Sequence, residues 1–234
     1  MLDKIPNNLL LEDYLDNDYI DSKFVTIPKE SGIIVEMKYP LLEMENSINE
    51  CLIRKEVLDL LLEAKKNLPE NITFKIWDAY RPYKLQEEIF LKYKDMIIKD
   101  FNLHDLPIDK QNKIINNYVS YPNKDEVLCP LHTTGGAIDL TLFNTETNEN
   151  LDMGIEFDEF SDLTNTNAFE NEGMDETIRN NRRMLYNAMT SVGFTNLPTE
   201  VWHYDFGDRA WAYYNHKYAL YKGILNKEDV IKEW

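Results

Sequence analysis

Three short blocks in this chain carry residue types that could do chemistry together. They are Asp78-Ala79-Tyr80-Arg81-Pro82, then His132-Thr133-Thr134-Gly135-Gly136-Ala137-Ile138-Asp139, then Glu200-Val201-Trp202-His203. Between them they offer two imidazoles and a carboxylate for a metal, a second carboxylate for a base, and a guanidinium for developing negative charge. That is the set of parts a zinc hydrolase needs when three protein ligands leave one coordination position open. Their co-occurrence carries the reading, because each block alone has a plainer explanation.

His132 and Asp139 are separated by six residues that include Gly135 and Gly136. Two glycines let the chain turn tightly, so that a loop histidine can meet a carboxylate on the strand that follows. The plain alternative is a solvated loop histidine. Glu200 precedes His203 by three and no second histidine follows, so this is not the helical H-E-x-x-H arrangement. On a bent strand end His203 could bind metal while Glu200 lies beside the open position and moves the proton of an attacking water. The alternative is a surface glutamate and a histidine packed beside Trp202. Arg81 could stabilise an oxyanion, or it could simply pair with Asp78 or another of the many carboxylates. His104 and His216 read as surface or packing residues. Cys129, three before His132, reads as a small buried hydrophobe.

The elements that must position these residues are legible in outline. Phe24–Ile27 and Gly32–Glu36 look like strand, turn, strand. Residues 55–66 carry Val57, Leu58, Leu61, Leu62 and Ala64 at helical spacing, with Pro69 beyond as a stop. Thr73–Trp77 is a strand running into the Arg81 block, and Pro82 opens a helix of about 83–99 with Leu85, Ile89, Phe90, Tyr93, Met96 and Ile97 on one face. A second helix follows at about 108–119. Gly136–Phe143 alternates, which puts Asp139 on the face opposite Ile138 and Leu140. Residues 144–174 are polar, acidic and rich in Asn and Thr, a long loop of the kind that is usually functional or disordered, and a candidate lid. Residues 176–192 form a helix that Gly193 ends, and a short strand carries Glu200–Phe206. Irregular alternation of short strands and helices predicts an α+β fold, a single domain with a small, mostly antiparallel sheet flanked by helices. Residues 1–23 read as an N-terminal extension of that domain.

The composition narrows the partners. With 42 acidic against 25 basic residues the formal charge is −17, which disfavours nucleic acid and anionic membrane surfaces. No stretch approaches the ~20 apolar residues of a membrane span. Neither a secretory leader nor a disulfide framework is evident, and Cys51 and Cys129 read as free thiols. These features predict a cytoplasmic protein. Oligomeric state leaves no signature.

The blocks resemble those of the D-alanyl-D-alanine dipeptidases of the vancomycin-resistance type, within the zinc D-Ala-D-Ala metallopeptidases. That family shows S-x-H-x-x-G-x-A-x-D followed by E-x-W-H. Here the first reads Pro130-Leu131-His132-Thr133-Thr134-Gly135-Gly136-Ala137-Ile138-Asp139 and the second Glu200-Val201-Trp202-His203. The Asp78–Pro82 block fits as well, as do Met153-Gly154-x-x-Phe157-Asp158 and Asn181-Arg182-x-x-Leu185 through Gly193-Phe194. The likeness spans roughly residues 30–215 in the family's order. It implies one zinc ion per chain held by His132, Asp139 and His203, Glu200 as general base and acid, and Arg81 as transition-state stabiliser. It further implies a small dipeptide substrate whose free amine is held near Asp158. The family's serine is Pro130 here, and proline has neither hydroxyl nor N–H. Competing expectations are a peptidoglycan D,D- or L,D-carboxypeptidase or endopeptidase of the same superfamily, and a zinc-binding interaction module without catalysis. The presence of both Glu200 and Arg81 argues against the last, since neither is needed to bind metal.

Overall fold

The structure is a computed structural model that describes residue 5 and residues 19–232. Most of the expected N-terminal extension, residues 1–4 and 6–18, lies outside the described residues. In chain order the strands are β1 (Phe24–Thr26), β2 (Ile34–Val35), β3 (Leu52–Arg54), β4 (Ile72–Asp78), β5 (Ala137–Asn144), β6 (Glu149–Asn150), β7 (Thr195–Asn196) and β8 (His203–Asp205). The helices are α1 (Lys38–Leu41), α2 (Lys55–Lys65), α3 (Tyr83–Asp100), α4 (Ile108–Ile115), α5 (Glu176–Thr190) and α6 (Arg209–Asn215).

The domain is α+β, as expected, but its sheet is larger than expected. Five strands run in the order β2-β4-β5-β8-β7, β6 adds a sixth beside β5, and β1 and β3 form a separate antiparallel pair. All pairings in the main sheet are antiparallel except β2 with β4. The strand-turn-strand reading of residues 24–36 therefore gives the right strands and the wrong pairing. Gly32 closes the turn in the left-handed region at φ 67°, yet β1 and β2 pair with β3 and β4 in different sheets.

Alternation along β5 separates two layers. Ile138, Leu140 and Leu142 join Phe74 and Ile76 of β4 in the main core. Val57, Leu58, Leu61 and Ala64 of α2 and Leu185, Ala188 and Met189 of α5 cover that face. Asp139 and Thr141 point the other way and are buried as well, so β5 is enclosed on both faces. Helix α3 builds a second cluster from Leu85, Ile89, Phe90, Tyr93 and Ile97. Met96, expected on that face, is exposed. Helix α4 is shorter than the predicted 108–119 and ends at Ile115.

Helix α5 starts where Asp175 accepts the Thr177 and Ile178 N–H groups at 2.7 and 3.0 Å, a cap worth about 1 kcal/mol. Arg182 on α5 is fully buried. Its guanidinium donates to the carbonyls of Met153, Asn165 and Leu163 at 2.8–2.9 Å and stacks over Phe169. The acidic segment 144–174 is thus fastened to the body of the protein through three carbonyls, and it contains β6 and two short 3-10 turns. Among the described residues no helix is long and apolar enough to cross a membrane.

Candidate metal centre

Three neighbouring strands bring the site residues into one row. His203 on β8 is the direct partner of Asp139 on β5, and Asp139 is the partner of Asp78 on β4. The second pairing depends on a bulge between Ile76 and Asp78. Since Ile76 pairs with Leu140, a regular ladder would have set Trp77 opposite Asp139. The extra residue re-aims Asp78 onto the site face.

His132 reaches the row from a 3-10 turn, Leu131–Thr134, that Gly135 closes at φ 74°. A Cβ on Gly135 would overlap the Phe24 ring, and one on Gly136 would overlap the Phe206 carbonyl. The two glycines therefore permit both the turn and the close approach. Behind the turn, Arg81 N–H donates to the His132 carbonyl and Thr133 Oγ1 donates to the Arg81 carbonyl. Arg54, itself buried, donates to the Thr134 carbonyl at 2.8 Å.

The ring nitrogens are sorted by their outer partners. His132 Nδ1 lies 2.8 Å from the Ala79 carbonyl, which can only accept, so that nitrogen carries the proton and Nε2 faces inward as a lone pair. His203 Nε2 lies 2.7 Å from Asp205 Oδ1, which leaves Nδ1 facing inward. The two inward nitrogens are 3.2 Å apart. Asp139 presents its two oxygens at 3.3 Å from His132 Nε2 and 3.0 Å from His203 Nδ1. Tetrahedral ligands at about 2.0–2.1 Å from a zinc ion stand roughly 3.3 Å from one another, so the donor set matches that ion in type and spacing. All three residues are buried and their ligand atoms lie within 4.8 Å of one another.

The electrostatics favour a cation here. Burial raises the Asp139 pKa, but His132 and His203 lower it by more, and it lies well below the usual carboxylate value. Burial lowers the His203 pKa, yet the Asp205 and Asp139 carboxylates outweigh it and hold the ring well above the usual imidazole value. Carboxylates that hold a proton on His203 would hold a metal in its place.

Glu200 lies in the turn before β8 rather than on the strand itself. The turn is fixed by Asn196, whose amide donates to the carbonyls of Glu200 and His203 at 3.0 and 2.9 Å. Val201 N–H adds a bond to the Thr164 carbonyl at 3.0 Å. Glu200 Oε2 comes to 3.8 Å from His203 Nδ1. Burial pushes the Glu200 pKa up, as does the Asp139 charge.

Arg81 is buried and tightly held. Its Nε and Nη2 donate to Asp78 Oδ2 at 2.9 and 2.7 Å, its Nη1 to Gln86 at 2.7 Å, and its Nη2 also approaches the Tyr39 hydroxyl at 3.3 Å. Nη2 stands 3.8 Å from Asp139. Arg81 thus pairs with Asp78, and that pairing holds its Nη2 beside the row of metal-facing residues. Asp158, at φ 57°, accepts from Tyr93 at 2.9 Å and from Tyr39 at 3.4 Å. Burial raises its pKa to about 7.

One cavity of about 60 Å³ is lined by His132, Asp139, His203, Glu200, Arg81 and Asp158, room for a few waters. All six predicted residues are brought together. His104 and His216 are exposed, and Cys51 and Cys129 are buried free thiols. Sequence reasoning missed the supporting residues Gln86, Asn196, Asp205, Tyr39 and Tyr93. Asp205 alone had a usable signal, because residues two apart on a strand share a face.

A family sequence model described as "D-ala-D-ala dipeptidase" matches residues 41–224. A D-alanyl-D-alanine dipeptidase of Synechocystis sp. is 28% identical over 189 residues, covering 74% of this chain and 76% of that protein. Proteins of the same description from Enterococcus faecalis and Enterococcus faecium are 30% and 29% identical over 146 and 169 residues. These alignments cover 60% and 70% of this chain, and 66% and 77% of the relatives.

Proposed function

The chain belongs to the D-Ala-D-Ala dipeptidase family of metallopeptidases, and from that premise we propose that it hydrolyses D-Ala-D-Ala, or a close D,D-dipeptide, to free D-alanine with one zinc ion per chain. The observation that carries this reading is the convergence of three inward lone-pair donors with Glu200 and Arg81 on one small cavity. His132, Asp139 and His203 would hold the zinc, which supplies Lewis acidity toward the scissile carbonyl and makes a water acidic enough to attack at neutral pH.

The protein's own groups do the rest. Glu200 takes the proton of the attacking water and returns it to the leaving amine. Its raised pKa suits both halves of that task, because a base poised nearer neutrality is also a competent acid. Arg81 faces the charge that develops on the carbonyl oxygen. It reaches that point without reorganising, since Asp78 and Gln86 already fix it. Asp205 and the Ala79 carbonyl keep the two rings in the tautomers that leave their ligand nitrogens free.

Asp158 receives the ammonium of the substrate. This favours a dipeptide over a longer peptide, because a chain extended at its N-terminus carries an amide at that point and has no charge to offer. Segment 144–174 acts as the cover of that end of the cavity. A cytoplasmic location accords with the two free thiols.

The test is release of D-alanine from D-Ala-D-Ala by the zinc-loaded protein, with Glu200→Gln beside it. Turnover should fall by about 10²–10⁴-fold in the variant while zinc content stays at about one per chain. Activity that survives the substitution, or zinc lost together with activity, sinks the assignment of the base.

A further inference from the structure

The dipeptide substrate of the reading above is a zwitterion, and the cavity accounts for only one of its charges. Asp158 matches the ammonium. The carboxylate needs a donor of opposite sign, and the metal cavity has one cation in its walls, Arg81. That guanidinium is fixed by Asp78, Gln86 and Tyr39, and on the reading above its remaining reach is taken by the scissile carbonyl oxygen. Pro130, also in the wall, offers no donor.

A second, larger space continues the first. A groove of about 520 Å³ shares Asn117, Ser120, Leu131, Thr199 and Glu200 with the metal cavity. Asp158 and Arg81 line only the cavity, whereas Arg209 and Tyr214 line only the groove. Glu200 therefore stands between two ends of opposite sign. Arg209 is the one cation in the groove wall.

Arg209 differs from the other five arginines of the chain. Arg81, Arg179 and Arg183 pair with Asp78, Glu176 and Glu170. Arg54 and Arg182 each saturate three carbonyls. Among the described residues Arg209 makes a single long hydrogen bond, 3.4 Å to the Leu128 carbonyl. Its Nε is buried without a partner, and no carboxylate among the described residues lies within ion-pair distance of it. In a protein of net charge −17, a half-buried guanidinium with spare donors beside a reactive site is set up to bind an anion.

We infer that Arg209 is the counter-ion for the carboxylate of the substrate, and that the carboxylate-bearing half of the dipeptide lies in this groove, across Glu200 from Asp158. The assignment rests on the dipeptidase reading and adds to it the polarity of substrate binding: amine toward Asp158, acid toward Arg209. It makes a free C-terminal carboxylate a requirement for tight binding.

Steady-state kinetics on D-Ala-D-Ala and on its C-terminal amide test this with the zinc-loaded protein and Arg209→Met and Arg209→Lys. The wild type should favour the acid over the amide by about 10- to 100-fold in kcat/KM, the range of a charge-assisted hydrogen bond. Arg209→Met should raise KM for the acid by a similar factor, hold kcat within about 3-fold, and leave the amide unchanged; Arg209→Lys should recover part of the loss. Unchanged amide turnover in Arg209→Met shows that the variant is folded. An unmoved KM for the acid, or an equal loss on acid and amide, overturns the assignment of Arg209. A wild-type protein that cleaves neither compound overturns the dipeptidase reading itself.

Discussion

Asp158, proposed above as the partner of the substrate's ammonium, would on that reading set the working range of pH. It faces Tyr39 and Tyr93, with Arg81, Asp139 and Glu200 as the nearby charges, and burial raises its pKa to about 7. Above that pH it is a carboxylate and can hold an ammonium; below, it is neutral. An α-amino group loses its own proton near about 8. Binding should therefore be tightest between these two values, with KM rising as pH falls through about 7. Asp158→Asn should raise KM by roughly 10-fold or more above pH 7 and remove the acidic limb of the profile. A KM profile with the same acidic limb in both proteins would show that Asp158 does not meet the amine. The sign for stability is opposite. A carboxyl whose pKa is higher when folded holds its proton more tightly in the native state, so its contribution falls as pH rises from about 4 to about 7. Thermal melts across that window should show a flatter slope in Asp158→Asn. At this scale the sequence displays the chemistry but not its support. His132, Asp139, Glu200 and His203 stand out by type and spacing. Gln86 and Asn196 are ordinary amides until folding brings Arg81 and the Glu200 turn within their reach.

Elements with strong local patterns were legible for a physical reason: α2, α3 and α5 bury one stripe each, and the short-range spacing of that stripe is written in the chain. Pairing partners are not written locally. Nothing in residues 24–36 says that β1 will meet β3 and β2 will meet β4, because those contacts are settled by distant strands. The bulge before Asp78 has no sequence mark either, although the row of Asp78, Asp139 and His203 depends on it. Segment 144–174 reads as a bare acidic loop because its anchor, Arg182, comes later, on α5. Replacing Arg182 with Leu would take the guanidinium donors from the carbonyls of Met153 and Leu163 and leave the Asn165 carbonyl with the Ala168 N–H alone. We expect a loss of about 3 kcal/mol or more in stability, measured by denaturant unfolding. Because Thr164 between those carbonyls receives Val201 N–H, catalysis should weaken as well, with kcat falling in conditions where the variant is fully folded. A variant of normal stability would show that the segment holds its place by other means.

At the scale of the whole molecule the sheet divides two tasks. Its α2–α5 face is an apolar core and its other face carries the buried polar row. Without metal, Asp139 and Asp205 hold a proton on His203; a divalent cation in its place answers more of that carboxylate charge and ties β5, β8 and the His132 turn together, so the metal should stabilise the entire domain. At a free zinc concentration about 1,000 times its dissociation constant the gain is about 4 kcal/mol. For a domain of this size that corresponds to roughly 10 °C in Tm. Chelator-stripped protein should melt lower by that order and recover on adding zinc, whereas His203→Ala should show no zinc-dependent shift. An identical Tm with and without chelator would remove the metal from the folding balance. The two ends of the described chain also meet behind the site. Phe24, the ring that Gly135 packs against, donates its N–H to Ile231, and Ile224 N–H donates to the Thr133 carbonyl beside His132. Tyr80 adds its hydroxyl to the Ile224 carbonyl at 2.7 Å. On the ribosome the His132 turn is made well before the segment that braces it, and domains fold as units while the chain emerges N-terminus first. The pocket is therefore braced only once residues near 231 have left the exit tunnel, and a chain terminated before them would carry the ligand residues without the contacts that hold the His132 turn.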